Sequence, residues 1–141
     1  MEKYIENLIK KAKEARKKAY APYSGFKVGS AALTDNGKIF TGCNIENASL
    51  GLSICAERVA IFNAISKGYK SFKAIAIICD TEKPCSPCGA CRQAMIEFSP
   101  EMNVIMCNFQ KKYIIKKAKD LIPDAFNNEN KNNTRSFLQN R

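Results

Sequence analysis

Residues 3–19 set Tyr4, Ile5, Leu8, Ile9, Ala12, Ala15 and Ala19 at helical spacing with lysines on the opposite side, which predicts an amphipathic helix at the start of the chain. Pro22 disfavours helical geometry in Ala21 and ends it. Two strand-like runs, 27–33 and 38–43, flank Thr34-Asp35-Asn36-Gly37, a hairpin turn signal. A loop over 44–53 leads to a second helix over about 54–67, with Ser53 as N-cap and Gly68 as its stop. Residues 74–79 form an unbroken apolar run, the mark of a strand buried on both faces. A loop carrying Pro84 and Pro87 precedes a third helix over about 89–98, closed by Ser99-Pro100. Segments 103–107 and 113–115 predict two further strands, and 118–121 a short helix. The pattern predicts one α/β domain over 1–126, a five-stranded sheet with helices on its faces, followed by an Asn- and Lys-rich polar tail over 127–141.

Composition narrows the class. At 141 residues the chain is long enough for one domain with a sizeable core, and no apolar run is long enough to cross a bilayer. Its net charge of +10 gathers in the first helix (Lys10, Lys11, Lys13, Arg16, Lys17, Lys18) and in the late segment around Lys111, Lys112, Lys116, Lys117 and Lys119. Neither cluster interleaves aromatics with its charges as single-strand binders do, so we read a solvated face and expect no specific nucleic-acid partner. Seven cysteines form an odd set, and the N-terminus reads as a charged helix rather than a secretory signal. Both features favour thiolates on a metal in a reducing compartment, and hence the cytoplasm.

The candidate chemistry lies in Cys55-Ala56-Glu57 and Pro87-Cys88-Gly89-Ala90-Cys91. Three thiolates from Cys55, Cys88 and Cys91 can hold one Zn²⁺ and leave its fourth tetrahedral position open to water, as catalytic sites do. Cys55 is expected in the first turn of the second helix, Cys88 just before the third and Cys91 in its first turn, where the positive helix start favours thiolate. The i, i+3 spacing puts Cys88 and Cys91 on one side of that turn. Arg58 and Arg92, each beside a site residue, are placed to hydrogen-bond sulfur and offset the excess negative charge. The chain has no histidine, which removes imidazole bases and His-ligated zinc, so a proton shuttle must be a carboxylate. Glu57 is the one tied to the metal. Cys85-Ser86-Pro87-Cys88 is a second C-x-x-C, so a sealed four-cysteine zinc site including Cys85 stays open, as does a thioredoxin-like dithiol. Cys88 and Cys91 are preferred because helix-favouring residues follow them. Cys43, Cys79 and Cys107 read as core residues.

These segments match the zinc-deaminase signature, and the chain resembles the small, homotetrameric class of cytidine deaminases. Tyr20-Ala21-Pro22-Tyr23-Ser24-Gly25-Phe26-Lys27-Val28-Gly29 is similar to that family's Pro-Tyr-Ser-x-Phe-x-Val-Gly stretch, and Gly42-Cys43-Asn44-Ile45-Glu46-Asn47-Ala48 to its Gly-x-Asn-Ile-Glu-Asn-Ala segment. Leu121-Ile122-Pro123-Asp124-Ala125-Phe126 resembles its C-terminal Leu-Leu-Pro-x-x-Phe. The resemblance implies a three-layer α/β/α sandwich around a mixed sheet. It implies one Zn²⁺ per subunit and hydrolytic deamination of cytidine and deoxycytidine in pyrimidine salvage, by a zinc-activated hydroxide attacking C4 with Glu57 as proton shuttle. It further implies that Asn44 and Glu46 bind the ribose 3′-hydroxyl, that Phe26 packs on the pyrimidine, and that the Ala56 backbone N–H contacts the base O2. Phe126 is expected to enter a neighbouring subunit's pocket, making the site composite. Ser49-Leu50-Gly51-Leu52 departs from related sequences, which often carry an aromatic there. A blasticidin-type nucleoside antibiotic deaminase, a polynucleotide-editing deaminase and a non-catalytic zinc module are the alternative functions.

Overall fold

The structure, a computed structural model, describes residues 1–127. All but the first residue of the expected tail lies outside the described residues. Helix α1 (Lys3–Arg16) is followed by strands β1 (Val28–Thr34) and β2 (Ile39–Cys43), helix α2 (Ala56–Ser66) and strand β3 (Phe72–Cys79). Helix α3 (Gly89–Phe98), strands β4 (Asn103–Asn108) and β5 (Tyr113–Lys117), and 3₁₀ turns at Leu50–Leu52, before α2, and Ala118–Leu121, after β5, complete the order.

The five strands form one mixed sheet in the order β2-β1-β3-β4-β5. β3 and β4 run parallel and the other neighbours antiparallel. A parallel pair needs a crossover, and α3 supplies it. The turn between β1 and β2 closes with the Gly37 N–H donating to the Thr34 carbonyl, and Gly37 takes the left-handed conformation (φ 86°) that glycine adopts without steric cost.

Side-chain alternation along β3 explains its continuous apolar run. Ala74, Ala76 and Ile78 face a core with Leu8 and Ala12 of α1, while Ile75, Ile77 and Cys79 face a second core with Ala60, Ile61 and Ala64 of α2 and Met95 of α3. The sheet is thus covered on both faces, giving the expected three layers.

Two glycines set how closely helices approach the sheet. A Cβ on Gly29 would strike the Ala12 carbonyl of α1, and one on Gly42 would stand 2.5 Å from both the Ala56 carbonyl and the Ala60 N–H of α2. Gly42 therefore lets the start of α2 lie against β2. The expected first helix ends earlier than residue 19: the N–H groups of Lys17, Lys18 and Ala19 reach back three residues in tight turns. The chain then swings to β2's continuation, where Tyr20 donates to the Asn44 carbonyl.

Candidate active site

The second helix starts later than its sequence propensity predicts. Ile45 and Ile54 exchange a pair of backbone hydrogen bonds, so residue 54 is extended and Cys55, not Ser53, is the N-cap. Ser53 spends its hydroxyl accepting from the Asn47 N–H at 3.1 Å instead. Cys55 therefore sits at the mouth of α2 rather than in its first turn, and Cys88 occupies the matching N-cap position of α3 with Cys91 one turn in. Two helix starts converge, each with unsatisfied N–H groups that favour negative charge.

The Sγ atoms of Cys55, Cys88 and Cys91 all lie within 4.8 Å of one another, and Cys55 and Cys88 are 3.6 Å apart. Tetrahedral zinc with Zn–S bonds of about 2.3 Å sets its sulfurs about 3.8 Å apart, so the three residues fit the ion. Cys85 is not part of this group. Its sulfur faces Cys79, and burial first, then that neighbour, pushes its thiol up. The sealed four-cysteine site is therefore not formed. Cys79 and Cys107 are buried as expected, and burial pushes Cys107 up to about 12. Cys43 is only half-buried, at the edge of β2.

Electrostatics within the cluster divide it. The Cys91 thiol donating to Cys55, helped by Arg58, holds Cys55 down at about 5, and the same pairing pushes Cys91 up. Arg58 Nη2 donates to Cys55 Sγ at 3.5 Å, the contact expected of it, while its buried Nε has no hydrogen-bond partner among the described residues. The hydrogen bond to Cys55 is the main cause that pushes the Arg58 guanidinium further up. Arg92 behaves differently from expectation. Its Nε donates to the Pro87 carbonyl, Nη1 to the Leu121 carbonyl and Nη2 to Ser86 Oγ, each at 2.8 Å. Following Cys91 by one residue puts it on a different face of α3, so it braces the proline loop ahead of Cys88 and makes no hydrogen bond to sulfur.

Glu57, 4% exposed, lies beside the sulfurs. Burial, with the Cys55 charge adding, pushes its carboxyl up to about 7. It opens onto a cleft of about 250 Å³ whose walls include Phe26, Asn44, Glu46 and Ala56. Val28 and Ile54, given no role from the sequence, also line this cleft, as does Cys85, there as a wall residue and not as a ligand. A larger cleft of about 510 Å³ between α1 and β2 contains lysines but no ligand cluster, so size does not identify the site.

A hydrogen-bonded loop forms the wall opposite the sulfurs. Asn44 Oδ1 accepts the Val28 N–H at 2.8 Å and its Nδ2 donates to the Phe26 carbonyl at 2.7 Å. Glu46 Oε1 accepts the Tyr23 and Ser24 N–H groups at 3.0 and 3.1 Å, and Oε2 accepts the Ser24 hydroxyl at 2.5 Å. The Ser24 hydroxyl is the main cause holding the Glu46 carboxyl below its usual range. The 20–29 stretch predicts no role for the Ser24 side chain; the structure gives it this one. Phe126 stands outside this cleft, 58% exposed, with its carbonyl accepting from Gln93 at 2.7 Å.

Comparison with known proteins agrees with this geometry. The model of the cytidine and deoxycytidylate deaminase zinc-binding region matches residues 2–107. A cytidine deaminase of Sporosarcina psychrophila is 48% identical over 126 residues, covering 89% of this chain and 93% of the relative. One from Halalkalibacterium halodurans is also 48% identical, with 89% and 96% covered. The crystal structure of cytidine deaminase from Burkholderia pseudomallei superposes with a TM-score of 0.84 at 53% identity, covering 89% of this chain and all of that one. That of Mycobacterium tuberculosis gives 0.76 at 36% identity, with 89% and 98% covered. With three sulfurs gathered at two helix starts and a buried carboxylate beside them, the chain belongs to the cytidine and deoxycytidylate deaminase family.

Proposed function

We propose that this chain hydrolyses cytidine and deoxycytidine to uridine and deoxyuridine with release of ammonia, and that residues 1–126 form the catalytic unit. One observation carries the reading: Glu57 is buried beside the Cys55, Cys88 and Cys91 sulfurs and opens onto a cleft that also holds Phe26, Asn44 and Glu46.

Cys55, Cys88 and Cys91 would hold one Zn²⁺, which when bound lowers the pKa of a water so that hydroxide is available near neutral pH. Glu57 takes the water's proton and hands it to the ring N3 as the oxygen adds to C4. It then moves the C4 hydroxyl's proton to the amine, which leaves as ammonia as the C4–N bond breaks, so one carboxylate serves both directions. Phe26 packs on the pyrimidine and the Ala56 N–H meets the base O2. Glu46 offers its remaining lone pairs to the 3′-hydroxyl, and Asn44 its second amide hydrogen. Arg58 offsets the excess charge of three thiolates. Arg92 positions the ligand loop from behind.

Ultraviolet absorbance on mixing the zinc-loaded protein with cytidine, deoxycytidine, an aminoglycosyl-cytosine antibiotic or a cytosine-containing oligonucleotide tests this reading. Loss of absorbance with the two nucleosides is expected. Turnover of the oligonucleotide or the antibiotic alone would refute it, as would no turnover of any. The Glu46 carboxylate favours a free sugar hydroxyl over a phosphodiester, whose charge it would repel.

The enzyme would act in pyrimidine salvage in the cytoplasm, as a homotetramer. Phe126 supports the assembly: it lies with Phe62 in an exposed apolar groove of about 420 Å³, outside its own chain's cleft and free to enter a neighbour's. Leu50 and Leu52, 73% and 70% exposed, are further apolar surface for a subunit contact. Light scattering returning a monomer at assay concentration would exclude it.

A further inference from the structure

The loop that begins after α1 reaches Glu46 through two backbone N–H groups and one side-chain hydroxyl. Ser24 Oγ donates to Glu46 Oε2 at 2.5 Å and accepts the Phe26 N–H at 3.0 Å. A hydroxyl has one proton to give, and here the carboxylate takes it. Glu46 Oε1 is held by two backbone N–H groups that any residue but proline at 23 and 24 would supply. The orientation of Oε2 depends on the side chain at 24, because no other donor to it occurs among the described residues.

We propose that Ser24 is a positioning residue for sugar recognition: its hydroxyl fixes the rotation of the Glu46 carboxylate so that a free lone pair of Oε2 points into the cleft. This rests on the reading above that Glu46 receives the ribose 3′-hydroxyl. Without the hydroxyl, the two Oε1 bonds alone hold the carboxylate, and its last torsion, which is broad for a terminal carboxylate, swings more widely about that anchor. The acceptor is then aimed at the substrate only part of the time. Phe26 is affected less. Phe26 is an exposed residue whose N–H turns to water, and its carbonyl stays tied to Asn44 Nδ2 at 2.7 Å. The base contact therefore survives a change at Ser24 while the sugar contact does not.

The test compares cytidine with 3′-deoxycytidine, which lacks the hydroxyl in question, on the zinc-loaded protein. Wild type should prefer cytidine in kcat/KM. Ser24→Ala should raise KM for cytidine about tenfold, one charge-assisted bond partly lost, with kcat changed less than about twofold. Its KM for 3′-deoxycytidine should stay within about twofold, so the preference collapses. Ser24→Thr, which restores the hydroxyl, should recover it, and Ser24→Cys, of similar shape and weak donor strength, should fall between. Glu46→Ala separates the two claims. If it removes the preference while Ser24→Ala and Ser24→Cys keep it, the role of Ser24 is overturned and that of Glu46 stands. If Glu46→Ala keeps the preference, or wild type shows none, both are overturned. Equal loss on both substrates in Ser24→Ala would mark a merely structural residue and also overturn the proposal.

Discussion

Gly42→Ala should damage stability and turnover together, because one methyl group would press on the helix that carries Cys55 and Glu57. The new Cβ would stand 2.5 Å from the Ala56 carbonyl oxygen and 2.5 Å from the Ala60 nitrogen, both backbone atoms. Real Cβ atoms do not come nearer than 3.0 Å, so the least movement α2 must make is the difference, half an ångström. The helix has nowhere to go without repacking, since Ala56, Ala60, Ile61 and Ala64 are fully buried against the sheet. Overpacking of this kind costs about 1–3 kcal/mol. Misplacement by about 1 Å costs catalysis about a hundredfold, so half of that predicts roughly a tenfold loss in kcat. Urea unfolding at fixed protein concentration, zinc per chain and steady-state rates on cytidine measure the three consequences. Gly51→Ala is the control: its Cβ meets nothing within 4 Å and its backbone is not left-handed, so it should change none of them. A Gly42→Ala protein with the midpoint and rate of Gly51→Ala would show that the close approach of α2 to β2 is not what places the site.

Glu57→Gln should keep its zinc and bind nucleoside while kcat falls about 10²–10⁴-fold, and a near wild-type rate would remove Glu57 as the shuttle. Cys88→Ala should lose zinc by metal analysis whereas Cys85→Ala retains it; the opposite pattern would reassign the ligands. The two arginines should part company. Arg58→Gln should lower metal affinity or kcat about 10–100-fold with little change in the unfolding midpoint. Arg92→Met, which cuts three hydrogen bonds at 2.8 Å, should destabilise by about 1–3 kcal/mol and leave the zinc content whole.

What was legible in the sequence follows from what local chemistry decides. All five strands match expectation to within two residues of their ends: β3 and β4 because burial on both faces leaves apolar runs, β1 and β2 because a turn signal separates them. The cysteine cluster was legible because zinc demands a fixed donor set, and the i, i+3 spacing across the start of α3 brings two of the three sulfurs together by itself. Errors occurred where a distant partner outbid a local preference. Ser53 has the residue type of an N-cap, but the Ile45–Ile54 pairing keeps the chain extended past it. Arg92 adjoins a ligand, but acceptors from residues 86, 87 and 121 engage each of its three nitrogens.

The same distinction explains the two halves of the cleft. The metal-binding side is made from helix starts, where sequence position and side-chain direction are tightly coupled, and so a motif of a few residues describes it. The sugar side is made from loops 20–28 and 44–46, which come together through hydrogen bonds spanning 16 to 23 positions. No periodicity records such pairings. Each loop also uses the other's polar groups to satisfy its own backbone, as the Val28 N–H and the Phe26 carbonyl both do with the Asn44 amide. A residue there has to hold the loop and meet the substrate at once, so a change at Asn44 should cost stability as well as affinity. Changes at Cys88, exposed at the mouth of its helix, should cost the metal and little else in the fold.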